Sequence, residues 1–287
     1  MNLLIYILAY PIIWLISVLP FRLLYIFSDF VYFWLYTVFK YRVKVVRKNL
    51  NLAFPEKSDT EKKRIERKFY SHMCDMFLEM AKSYGMNEND MRQRMVFTNI
   101  DIFEKYETQN RNISILCGHY ASYEWMLSLG YFLKRKSYAL YTPLSNPYFD
   151  RLVQKIRMKH KGLLLSRYVA ASEMKRHRDE GILTTYGFAA DQSPSSNRSY
   201  RRSFLGIRVP VFTGAERLGK QTNTVMIFAN VQKVKRGYYE TTFEVLSENP
   251  QSIPDFQITD MFFERLEQII RAKPEYYLWT HNRFKRM

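Results

Sequence analysis

From Asn2 to Phe21 the chain carries no charged side chain, in the run NLLIYILAYPIIWLISVLPF. A helix of about 20 residues spans a hydrocarbon core, so the run predicts a transmembrane anchor. Pro11, midway along it, is tolerated in membrane helices. The next stretch, RLLYIFSDFVYFWLYTVF, adds Arg22 and Asp29 and is crowded with Tyr, Phe and Trp. Such rings favour the headgroup level and predict an interfacial or re-entrant helix. Lys40, Arg42, Lys44, Arg47 and Lys48 follow directly, and the positive-inside rule then leaves the rest of the chain on the cytoplasmic side. A cleaved signal peptide fits less well, because no basic segment precedes the run and no small-residue cleavage site follows it. Residues 1–45 therefore read as a transmembrane and interfacial anchor, and 46–287 as one domain.

Within that domain, Pro55 stops one segment and Ser58 with Glu61 forms a capping box for the next helix. Ile65, Phe69, Met73, Met76, Phe77 and Met80 recur at helical spacing and read as core, and Gly85 suits the exit. From residue 113 strands alternate with helices. Ile113–Cys117, Tyr138–Tyr141, Ile182–Phe188 and Thr224–Val231 read as strands, and Ser122–Leu133, Tyr148–His160 and Ala170–Glu180 as helices. This rhythm predicts an α/β fold with a mostly parallel central sheet flanked by helices. QKVKRGYYETTFEVL predicts an antiparallel hairpin at the sheet edge, and a last helix runs over Ile258–Ala272.

Lys and Arg number 44 against 27 Asp and Glu, for a net charge of +17. That excess calls for an anionic partner: nucleic acid, an anionic bilayer, or an acidic protein or substrate. Basic residues are spread along the chain and no nucleic-acid-binding motif appears, so no nucleic acid is expected. The two cysteines, Cys74 and Cys117, suit free thiols, and no paired Cys/His spacing supports a zinc site.

The segment ISILCGHYASYEW places His119 just past a strand end and Glu124 five residues on. Functional groups in α/β domains gather beyond the carboxyl ends of parallel strands. Five residues of regular helix leave two side chains about 140° apart. The two therefore meet only if His119 is still in the turn and Glu124 in the first helical turn, with Gly118 permitting the turn and Ser122 as a cap. Glu124 would then accept a hydrogen bond from one imidazole nitrogen, freeing the other to take a proton from a hydroxyl. On spacing alone the motif also reads as two solvated residues near a helix start. His72, His160 and His177 read as surface positions. No G-x-S-x-G elbow occurs, and Cys117 lies inside a strand, so a Ser or Cys nucleophile is disfavoured.

Five blocks together resemble the bacterial late acyltransferases of lipid A biosynthesis, within the wider H-x-x-x-x-D/E glycerolipid acyltransferases. They are RKNLNLAFPEKSDTEKKRI, GHYASYEW, YTPLSNPYFDRLVQKIR, ADQSP with FLGIRVPVFTGAERLGKQTN, and KPEYYLWTHNRFK. The resemblance covers nearly the whole chain. It implies an inner-membrane enzyme that moves a fatty acyl group from a carrier thioester to a lipid hydroxyl, with no metal or prosthetic group. The implied partners are an acidic acyl carrier protein and an anionic membrane lipid. On this chain His119 becomes the general base and Glu124 its orienter. Arg151, Arg198, Arg201, Arg202 and Arg217 are candidates for stabilising the oxyanion or gripping anionic lipid, and Asp191 and Gln192 for supporting the site. Two departures stand out. Thr142 replaces the arginine that the family often carries in a Y-R-P-like run, and no E-G-T-R-like segment is present. A lipid A precursor is the first acceptor implied. An aminoacyl lipid or another single-chain lipid is the alternative, and a non-catalytic, membrane-tethered lipid-binding protein is the reading of another class.

Overall fold

The computed structural model describes residues 2–194 and 199–287. The amino-terminal run does not form one long span. Helix α1 (Asn2–Val18) continues through Pro11, ends before Pro20, and is followed by α2 (Phe21–Tyr32) and a π-helical turn, Phe33–Val38. At 1.5 Å per residue α1 is about 25 Å long. Among the described residues no single helix is long and apolar enough to cross a membrane; Phe21–Val38 and α3 (Val43–Ala53) qualify only together, and they meet at 85°. The break between α1 and α2 has a local cause, since Pro20 donates no backbone hydrogen bond and holds an extended conformation, φ −55° and ψ 144°.

Tertiary contacts then hold α1 against the body. It packs on α4 (Asp59–Ser83) and on α7 (Pro147–Met158). Lys82 donates to the Ser17 carbonyl at 2.7 Å, placing a cation at the carboxyl end of α1. Gly85 passes so close that an added Cβ would lie 1.9 Å from the same oxygen. The outward stripe Leu4, Leu8, Ile12 and Leu15 stays exposed, as do Leu23, Ile26, Phe30, Phe33 and Trp34 of the next two segments. Side chains at such spacing share one helix face, so the amino terminus presents an apolar surface while its other face is packed.

Helix α4 starts with the expected capping box, Ser58 accepting from the Glu61 backbone and Glu61 from that of Ser58. Its buried face holds Ile65, Phe69, Met73 and Met76, but Phe77 points outward. The side also buries His72, Asp75 and Glu79, which receive Lys233, Arg236, Tyr25 and Tyr239 from neighbouring elements. The three histidines read as surface positions are all buried. His160 bonds Tyr131 and the Ser83 carbonyl, and His177 bonds Tyr186. Burial lowers the pKa of each of the three and keeps the ring neutral.

After α5 (Glu88–Arg94) the strands are β1 (Met95–Phe97), β2 (Ile113–Cys117), β3 (Lys136–Tyr141), β4 (Leu163–Ser166), β5 (Thr184–Ala189), β6 (Arg201–Phe204), β7 (Ile207–Pro210), β8 (Val225–Lys235) and β9 (Tyr238–Ser247). Between them lie α6 (Asp101–Thr108), α7, α8 (Ala170–Asp179) and α9 (Gly214–Thr222), and α10 (Gln257–Ala272) follows. The main sheet has order β1-β9-β8-β2-β5-β3-β4 and is parallel except across the β8–β9 hairpin. The hairpin is not at the edge, because β1 pairs with β9 and covers it. Every residue of β2, the central strand, is buried. Strands β6 and β7 form a separate antiparallel ribbon.

Candidate active site

Strands β2 and β5 are neighbours in register, with Cys117 opposite Ala189. Two residues further along each strand stand His119 and Asp191, which therefore emerge level at the carboxyl edge of the sheet. His119 Nδ1 lies 2.6 Å from Asp191 Oδ1, and the same oxygen accepts from the His119 backbone N–H at 3.1 Å. A carboxylate only accepts, so Nδ1 carries the proton and Nε2 presents a lone pair. The side-chain nitrogen of Gln192 sits 3.3 Å from that Nε2 and donates to it. Tyr123 packs edge-on against the imidazole, 4.8 Å between ring centres.

The hydrogen bond expected from His119 to Glu124 is thus made to Asp191 instead. Ser122 caps nothing with its side chain, and the segment after it, Tyr123–Tyr131, is a 3₁₀ helix. Glu124 turns to Arg157, which grips it with two bonds of 2.8 and 2.5 Å. Its charge still reaches His119 through space and favours the imidazolium.

Electrostatics matches this geometry. Burial favours the neutral imidazole of His119, but the carboxylate of Asp191 outweighs it, and the pKa is raised. Burial would raise the pKa of Asp191, yet the attraction and hydrogen bond of His119 hold it below the ordinary carboxylate value. The pair is a base with a stabilised conjugate acid. Burial pushes the Cys117 thiol up to about 12, so it is protonated at neutral pH and is no nucleophile.

The turn is fixed from behind by the chain's last segment. Tyr120 and Tyr277 form an isolated antiparallel bridge, with Ala121 N–H donating to the Tyr276 carbonyl and Leu278 N–H to that of His119. Gly118 serves close packing: a Cβ there would lie 2.5 Å from Leu266 Cδ1 of α10. Arg283, fully buried, donates to Ser193 Oγ and to the Pro210 carbonyl, and Ser193 N–H donates to His281 Nε2. The Asp191–Ser193 turn therefore leans on His281 and Arg283, which sequence reasoning did not single out.

The arginines that it did single out lie elsewhere. Arg151 and Arg217 are exposed. Arg201 bonds the carbonyls of Arg208 and Arg286, and Arg202 pairs with Asp260. Arg198 lies outside the described residues. Arg157 was missed for a geometric reason. On α7, Leu152 and Ile156 are buried, and Arg151 and Arg157 each stand about 120° from the middle of that face, on opposite flanks. Helical phase cannot choose between them. Replacing Arg157 with alanine strands the buried Glu124 carboxylate and is expected to cost about 2 kcal/mol, below the full cost of breaking a buried pair because Arg157 is partly exposed. Arg151→Ala is expected to stay within about 0.5 kcal/mol. Urea denaturation of the two variants checks the difference, and equal midpoints would remove the structural role of the Glu124–Arg157 pair.

Comparison with known proteins agrees in extent. The family model described as bacterial lipid A biosynthesis acyltransferase matches residues 2–286. The lipid A biosynthesis lauroyltransferase of Escherichia coli (strain K12) is 21% identical over 275 residues, covering 96% of this chain and 89% of that protein. The palmitoleoyltransferase of the same organism is 22% identical over 258 residues, covering 86% and 79%. A lipid A biosynthesis acyltransferase of Haemophilus influenzae is 20% identical over 273 residues, covering 92% and 82%. At such identity chain-long agreement carries more weight than any single block, and it runs through the His119 turn and the closing segment that braces it. This chain belongs to the bacterial lipid A biosynthesis acyltransferase family.

Proposed function

We propose that the protein transfers a fatty acyl chain from a carrier thioester to a hydroxyl of a membrane lipid, a lipid A precursor, at the cytoplasmic face of the inner membrane. The observation that carries this reading is the level placement of His119 and Asp191, with Nδ1 engaged at 2.6 Å and Nε2 left as the basic nitrogen beside the Gln192 amide. Nε2 takes the proton of the acceptor hydroxyl as its oxygen attacks the thioester carbonyl carbon. The carbon–oxygen bond forms and the carbonyl electrons move onto oxygen. Collapse of the tetrahedral intermediate breaks the carbon–sulfur bond, and the imidazolium returns its proton to the departing thiolate. Asp191 supports the imidazolium throughout. The Gln192 amide, already within reach of Nε2, stands where it can donate to the oxyanion. Glu124 and Arg157 act as a positioning pair beneath the turn.

The setting supports the same reading. The exposed apolar face of α1 and α2 suits insertion into one leaflet, and residues 1–45 become the membrane-facing part. The net charge of +17 suits an acidic acyl carrier protein as donor and an anionic lipid surface beneath. Mass spectrometry of membrane lipids tests the proposal, using cells lacking the protein complemented with wild type or with His119→Ala. One lipid class should gain a single acyl chain with wild type only, and its mass names the acceptor. A gain on an aminoacyl lipid would replace the lipid A acceptor, and identical lipids in both strains would end the catalytic reading.

A further inference from the structure

A cleft lies away from His119, between the π-helical turn, α3 and α4. Its volume is about 470 Å³, and it is lined by Tyr32, Tyr36, Thr37, Lys40, Val43, Arg47 and Arg67. Its floor is built. Glu66, 2% exposed, accepts two bonds from Arg47, at 2.9 and 3.0 Å, and one from Tyr36 Oη at 2.7 Å. Among the described residues the ion-pair partner of that carboxylate is Arg47. Among the described residues Lys40 and Arg67 have no carboxylate partner, so the cleft keeps two uncompensated cations.

Three further features point the same way. Lys40 and Arg42 both hold left-handed backbone, φ 51° and 52°, which costs free energy in a non-glycine residue and persists only where surrounding structure enforces it. Helix α3 opens beside the cleft with no capping side chain and no acid in its first turn, leaving its positive end uncompensated. Phe33, Trp34, Val38 and Phe39, on and next to the same π turn, are exposed. A cationic, hydroxyl-lined cleft bordered by apolar rings fits a ligand that is anionic at one end and hydrocarbon at the other.

We propose that this cleft binds the phosphate of an anionic membrane lipid, whose acyl chains lie along the exposed apolar face of α2 and the π turn. Lys40 and Arg67 supply the charge, Arg47 is held by Glu66, and the Tyr32 and Thr37 hydroxyls are available as donors. The site does not depend on the acyl-transfer reading, since none of the residues around His119 lines it.

The test uses the full chain and co-sedimentation with phosphatidylcholine vesicles, with or without phosphatidylglycerol. The wild type should gain affinity from phosphatidylglycerol. Lys40→Ala/Arg67→Ala should lose about 30-fold of that gain, from roughly 1 kcal/mol per basic side chain at an anionic surface. Lys175→Ala/Arg208→Ala, with the same change in charge, should lose little, and circular dichroism shows that each variant is folded. Equal losses in the two variants, or an equal gain from oleate at matched surface charge, would make the effect diffuse and overturn the site. A third arm adds inorganic phosphate alone. If it raises the melting temperature of wild type but not of Lys40→Ala/Arg67→Ala, and strips wild type from the vesicles, the cleft takes free phosphate and the lipid assignment falls.

Discussion

His119→Asn lowers acyl transfer by about three orders of magnitude while leaving the protein folded, the range associated with loss of a positioned general base. The asparagine variant isolates chemistry from stability. Its side-chain N–H occupies roughly the place of Nδ1 and still donates to Asp191, but nothing replaces the lone pair of Nε2. His119→Ala loses as much activity and, in addition, takes from Asp191 the imidazole N–H that it accepts at 2.6 Å. Asp191 is 2% exposed, and a buried carboxylate without its partner is costly. His119→Ala is therefore expected to melt below both wild type and His119→Asn. Single-turnover assays with the thioester donor, beside thermal melts, separate the two effects. His119→Asn retaining a tenth of wild-type turnover would remove His119 from the reaction.

Asp191→Asn is expected to reduce turnover by about a hundredfold at neutral pH, because an amide orients the ring without stabilising the imidazolium. The pH profile gives the more specific readout. His119 works as a base only when neutral, so activity falls on the acid side through its pKa. Asp191 raises that pKa, and removing the carboxylate lowers it. The acid limb should therefore move to lower pH in Asp191→Asn, even as the plateau drops. Glu124→Gln should move it in the same direction but less, since Asp191 stands ahead of Glu124 among the influences that raise the pKa of His119. An unmoved limb in Asp191→Asn would show that Asp191 does not govern the base. A larger movement in Glu124→Gln would return the orienting role to Glu124.

Much of the scaffold is legible in the sequence. The apolar strand Ile113–Cys117 appears with the bounds expected of it, because a fully buried central strand is a continuous apolar run between polar breaks. The capping box at Ser58 is equally direct, since its hydrogen bonds join residues three apart. Less legible are β1 and β4, of three and four residues, which are too short to show a period. Their existence depends on a neighbouring strand with free hydrogen-bonding groups. The 20-residue apolar run predicts a span because hydropathy does not distinguish lipid from protein as the shielding surface. Gly85, Lys82 and the face of α4 provide the protein side of that shielding.

The α/β class, the strand that ends at Cys117, the turn that carries His119 and the cation excess are all legible in the sequence alone. All of these rest on local periodicity, capping or composition, and residues near one another in the chain suffice to express them. Tertiary structure alone decided which acid His119 holds. Glu124 is five residues away in sequence and Asp191 is 72, yet the parallel register of β2 with β5 brings the distant one to 2.6 Å. The rotation of α7 likewise chose Arg157 over Arg151 as the partner of Glu124. Strand register and helix rotation are set by the packing of whole elements against one another, and short-range spacing carries no record of either.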